Sequence, residues 1–156
     1  MESNRNDPTP TGLVIARDLM FTSKVTGTAE AIGHKMRTAA DIGSARTLIE
    51  RWNPAVIVVD LTAGDPAAPE ALAEYRRLAG DSARLIAVGP HVDADRLAAA
   101  KAAGCQLALP RSKFSAELPA LLRGWFAESA TEAGHPPSVP GAEDDPASSP
   151  ATGDGR

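Results

Sequence analysis

Hydrophobic positions along the chain follow two alternating patterns. Leu13–Arg17 (LVIAR), Val56–Asp60 (VIVVD), Leu85–Val88 (LIAV) and Leu107–Leu109 (LAL) are short, almost unbroken apolar runs, the pattern of strands buried on both faces. Between them apolar residues recur at helical spacing. Phe21, Val25, Ala29 and Ile32 form one stripe, Ala45, Leu48, Ile49 and Trp52 a second, Leu72, Tyr75, Leu78 and Ala79 a third, and Leu118, Leu121, Leu122 and Trp125 a fourth. Val92–Ala103 reads as an alanine-rich helix with Asp93 as its N-cap and Gly104 as its stop. Lys35–Ala39 fits a weaker strand. Strand and helix alternating five times predict an α/β domain, a parallel sheet with right-handed crossovers and helices on both faces. Ligands of such sheets bind beyond the carboxyl ends of the strands, where Asp60 and Asp18 fall.

A length of 156 residues sets one domain as the expectation. The chain is 43% hydrophobic but only 4% aromatic, so the core is built from Ala, Val, Leu and Ile. After Phe126 the composition turns to Pro, Gly, Ala, Ser and acid, with Val139 its one branched aliphatic residue. Such a segment buries too little surface to offset its ordering entropy. The expected organisation is a flexible N-terminus (1–11), a folded domain (12–126) and a disordered tail (127–156).

Charge and cysteine usage remove several classes of function. The net charge is −4 and the basic residues are scattered singly, which argues against a nucleic-acid partner. Cys105 is the sole cysteine, so there is no disulfide framework, and no Cys/His cluster has metal-ligand spacing. MESNRNDPTPT lacks the apolar core of a signal peptide, and no apolar run reaches the ~20 residues that span a bilayer. The expected location is the cytosol, without a membrane partner.

The stretch AADIGSARTLIERWNPAVIVVDL resembles the second helix, Pro-containing turn and third strand of response-regulator receiver domains. The likeness extends over nearly all of Gly12–Trp125. It implies a three-layer, doubly wound, flavodoxin-like fold with a five-stranded parallel sheet of order 2-1-3-4-5. It also implies roles for particular positions. Asp60 falls on the phosphoacceptor aspartate. The acidic pair after the first strand falls on Arg17 and Asp18, so one of two magnesium-binding carboxylates is an arginine. The switch Ser or Thr falls on Gly89, which has no hydroxyl, and the Lys-Pro pair falls on Arg111 and Ser112.

A receiver site gathers about three carboxylates to hold Mg²⁺ against the incoming phosphoryl oxygens. Here only Asp18 and Asp60 would serve as its ligands, opposed by Arg17 and Arg111. Arg17 is a candidate to replace the metal as the partner of Asp60, since a guanidinium pairs well with a carboxylate and stays charged. Adjacent strand residues point to opposite faces, however, so Arg17 and Asp18 need not both face Asp60.

Each candidate also has a plainer role. Asp60 ends a strand and either bonds the following turn or serves an acidic site; Asp18 either caps the first helix or joins that site. His91 reads as a loop histidine, and Cys105 as a small buried apolar residue. TGTAEAIG, Thr26–Gly33, is similar to the phosphate loop of flavodoxins, but the first stripe places it inside a helix. The expected function is non-enzymatic: a degenerate receiver-like signalling protein that needs no cofactor. It would bind another signalling protein, such as a histidine kinase or an output protein. The alternatives are a working phosphoacceptor using Asp60 and Mg²⁺, and a flavin-type small-molecule binder.

Overall fold

The computed structural model describes residues 11–90 and 93–134, the last six as backbone only. Five parallel strands, β1 (Thr11–Ile15), β2 (Lys35–Ala39), β3 (Val56–Asp60), β4 (Arg84–Gly89) and β5 (Leu107–Pro110), form one sheet of order β2-β1-β3-β4-β5. The VIVVD run is the central strand, and all five of its residues are buried. β5 lies at an edge with one neighbour. Leu107 is consequently 38% exposed, and the two-sided burial expected of LAL does not hold for it.

The helices are α1 (Leu19–Ala31), α2 (Ile42–Trp52), α3 (Pro69–Ala79), α4 (Ala94–Ala103), α5 (Arg111–Ala116) and α6 (Leu118–Gly134). Asp18, Asp41 and Asp93 cap α1, α2 and α4 with their side chains, satisfying N–H groups that have no partner inside the helix. The stripes dock on opposite faces of the sheet. Ala45 and Ile49 of α2, Leu72 and Tyr75 of α3 and Ala100 of α4 pack on Leu13, Ile15, Ile57, Val59, Leu85 and Ala87. Phe21 and Val25 of α1, Phe114 of α5 and Leu122 and Trp125 of α6 pack on Val14, Ala16, Val56, Val58, Ile86 and Val88. Odd and even strand residues thus serve two different cores, as the period of two requires.

Three features depart from the sequence pattern. The short helix α5 was not expected, because six residues are too few to display a stripe. Two 3-10 turns, Leu61–Ala63 and Asp65–Ala67, follow β3. The last helix runs on to Gly134, so a tail starting at 127 would begin inside it. AESATEAG has no apolar face, but its Ala and Glu are strong helix formers, and Glu128 meets Arg84 of β4 at 2.6 Å. Residues 1–10 and 135–156, and His91 with Val92, lie outside the described residues.

Thr26–Gly33 falls on α1 and its C-terminal turn, with Thr26 to Thr28 inside the helix. The Thr26 and Thr28 hydroxyls donate to the carbonyls of Ser23 and Lys24 at 3.4 and 2.8 Å. The hydroxyls that would hold a flavin phosphate are committed to the helix itself. Among the described residues no helix is long and apolar enough to cross a membrane.

Candidate functional site

Strand alternation decides which side chains meet at the carboxyl edge. Asp60 follows Val56 and Val58, Arg111 follows Leu109, and Asp18 follows Val14 and Ala16, all on the face covered by α1 and α6. Their three loops converge there. Arg17 follows Leu13 and Ile15, and Gly89 follows Leu85 and Ala87, on the opposite face. Of the five positions carried over from the receiver pattern, the structure brings together Asp18, Asp60 and Arg111.

Asp60 is the one charged residue fully buried among those described. Its Oδ1 accepts the Thr62 amide at 3.0 Å and the Thr62 hydroxyl at 2.8 Å. This is the strand-ending turn bond of an aspartate. Its Oδ2 lies 2.9 Å from Arg111 Nη2, yet accepts no well-aligned hydrogen bond. The two facts agree if the guanidinium approaches at ion-pair distance with its N–H bonds off the line to Oδ2, since a hydrogen bond needs direction and a charge contact does not.

Asp18 both caps α1 and meets Arg111. Oδ1 accepts the amides of Met20 and Phe21 at 3.0 and 3.2 Å, and Oδ2 meets Arg111 Nη1 at 3.3 Å. The Phe21 amide, with further help from Arg111 and the Met20 amide, holds the Asp18 carboxyl below its usual range. Arg111 is the hinge of the arrangement. Its guanidinium spans the Oδ2 atoms of both carboxylates and sits over the Phe21 ring at 4.7 Å, a cation–π distance. Phe21 is fixed in turn by Phe114, 5.6 Å away between ring centroids.

Arg17 does not partner Asp60. Its Nε donates to the Ala40 carbonyl at 3.1 Å, and its Nη1 lies 3.4 Å from where a Cβ on Gly64 would stand. It straps the loop after β2 to the loop after β3 on the far side of the sheet. The cationic partner of Asp60 is Arg111.

Gly89 has no hydroxyl, and the space beside it is taken. A Cβ there would stand 3.1 Å from Leu61 Cδ1 and 3.3 Å from Leu61 Cβ. Leu61 is 3% exposed, and its carbonyl accepts from Arg96 Nη1 of α4 at 2.9 Å. Neither Leu61, Thr62, Phe21 as a platform nor Arg96 was identified from sequence as part of the site. Only Thr62 carries a local signal, two residues after an aspartate that ends a strand.

The donor set does not fit a resident Mg²⁺. Two carboxylates converge instead of three, one oxygen of Asp18 is spent on the α1 cap, and a guanidinium already spans the Oδ2 atoms that would be ligands. Hard divalent cations need several free oxygens. Among the described residues no group of three or more His, Cys, Asp or Glu is placed to hold a metal ion.

Outside the site, Cys105 is buried as expected, and burial pushes its thiol up to about 12. Buried thiols of that kind are unreactive.

No protein-family model matches the sequence, and no curated protein does. Solved structures match in fold. A response regulator from Thermotoga maritima superposes with a TM-score of 0.66 at 18% identity, covering 76% of this chain and 98% of its own. A CheY-like receiver domain protein from Methanospirillum hungatei gives 0.68 at 17%, covering 79% and 98%. A putative response regulator from Chloroflexus aurantiacus gives 0.66 at 18%, covering 76% and 98%. With its five parallel strands in the order 2-1-3-4-5 and helices on both faces, the chain has the fold of the response-regulator receiver domains.

Proposed function

We propose that this chain is a receiver-like signalling protein of the cytosol whose Asp60 does not cycle through a phosphorylated state. It catalyses no reaction and acts by contacting another signalling protein, a histidine kinase or an output protein, through its folded surface. The observation that carries this reading is the Arg111 guanidinium set against the Oδ2 atoms of both Asp18 and Asp60. It neutralises the carboxylates from within and stands where a metal would be needed. Gly89, with Leu61 packed against it, supports the same reading, because there is no hydroxyl to follow a phosphoryl group and a side chain added there would press on Leu61.

One observation favours the rival reading of a working phosphoacceptor: Asp60 Oδ2 accepts no hydrogen bond and so retains a lone pair for a phosphoryl group. Incubation with acetyl phosphate and Mg²⁺, read by intact mass, separates the two. In the rival reaction Asp60 Oδ2 bonds to phosphorus as the bond to the acetate oxygen breaks, and acetate leaves. The expected result is an unchanged mass. A phosphoryl adduct that is absent from the Asp60→Asn variant would overturn the proposal.

A further inference from the structure

Asp60 is buried, and the arginine that meets it is partly exposed. The Asp60 side chain is 1% exposed, whereas the Arg111 side chain above it is 35% exposed. Arg111 reaches the carboxylate from the end of β5, stretched over the Phe21 ring. Its other anchor, Asp18, is itself 43% exposed and 3.3 Å away. The contact with Asp18 is a long, half-exposed ion pair and the contact with Phe21 a cation–π pair, both weak; the contact with the buried Asp60 is the stronger hold, though it lacks an aligned hydrogen bond. The guanidinium ends a long side chain with several rotatable bonds, so rotamer changes alone can carry it outward.

We propose that Arg111 is an autoinhibitory gate: anchored by Asp18 and Phe21, it closes the solvent side of Asp60 Oδ2, and releasing either anchor opens the carboxylate to small reagents. This rests on the reading of Asp60 as a resting, charge-paired carboxylate. It adds that the resting state is imposed by one displaceable side chain rather than by the frame. A partner offering an anionic group to Arg111 would therefore uncover Asp60 at the moment of contact.

The test uses neither a phosphodonor nor Mg²⁺, so it can fail while the functional proposal stands, and the reverse. The full chain is treated with a water-soluble carbodiimide and glycinamide, and labelling is followed peptide by peptide. The carboxyl oxygen adds to the carbodiimide carbon, the amine displaces the urea, and an amide forms at the carboxyl carbon. The expected result is an Asp60 labelling rate at least about tenfold higher in Asp18→Asn and in Phe21→Leu than in the parent, as expected when access is limited by a local opening. Phe21→Leu alters no charge whereas Asp18→Asn removes one, so a faster rate in both reports access rather than a changed ionisation. Asn retains an oxygen for the α1 cap. Alkylation of buried Cys105 serves as the fold check: it must stay as slow as in the parent, and Arg111→Lys replaces any variant that fails it. Equal Asp60 labelling in parent and folded variants, whether slow or fast, would overturn the gate.

Discussion

Replacing Gly89 with serine restores the side-chain type that the receiver pattern places there, and it should destabilise the protein. The new Cβ would stand 3.1 Å from Leu61 Cδ1 and 3.3 Å from Leu61 Cβ. The terminal methyl can move by rotation, but Leu61 Cβ moves only with its backbone, and a side chain 3% exposed has little free volume to enter. Overpacking of this kind costs about 1–3 kcal/mol, and a buried hydroxyl without a partner adds to it. Relief of the glycine penalty in a strand returns only ~0.5–1 kcal/mol. The net expectation is a loss of about 1–2 kcal/mol. Leu61→Ala alone leaves a cavity and should cost about 2–5 kcal/mol. The double variant lets serine occupy part of that cavity, so its loss should fall short of the sum of the two single losses by about 1 kcal/mol or more. Equilibrium urea denaturation of all four proteins measures this coupling directly. Strict additivity, within ~0.5 kcal/mol, would refute the account of Leu61 as the residue that fills the switch position.

Two further outcomes are expected. Burial pushes the Cys105 thiol from its ordinary 9.0, and the Tyr75 hydroxyl from 10.0, to about 12 each. Above pH 9 the unfolded chain therefore releases protons that the folded chain retains, and stability falls as pH rises toward 12; the urea midpoint should drop across this window, less so in Cys105→Ala, and a flat midpoint would contradict both shifts. Ending the chain after Gly134 should leave the melting temperature within ~1 °C, whereas ending it after Phe126 removes Glu128 from Arg84 and should lower it by about 2–4 °C, the scale of one half-exposed ion pair and a shortened helix end; equal melting temperatures would show that α6 beyond Phe126 contributes nothing.

The frame of the protein was legible because hydrophobic period and burial are the same quantity seen twice. Runs such as VIVVD can be satisfied only between two layers of helices, and the stripes from Phe21 to Trp125 supply those layers. The sequence by itself determined the α/β class, the central strand, Asp93 as a helix cap and the placing of Asp60 at the carboxyl edge of the sheet. It also supplied the rule that Arg17 and Asp18 need not face the same way, but not which of them meets Asp60. That was decided by tertiary structure. Where strand alternation continues past the strand ends is fixed by register and loop path, and these place Asp18, Asp60 and Arg111 on the α1 side while Arg17 turns to Ala40. The filling of Gly89's neighbourhood by Leu61 is likewise a contact between two strand ends, and the spacing of residues in one chain carries no trace of it. Charge types can be read from a sequence; which charge reaches which depends on directions in space, and only the packed sheet sets those.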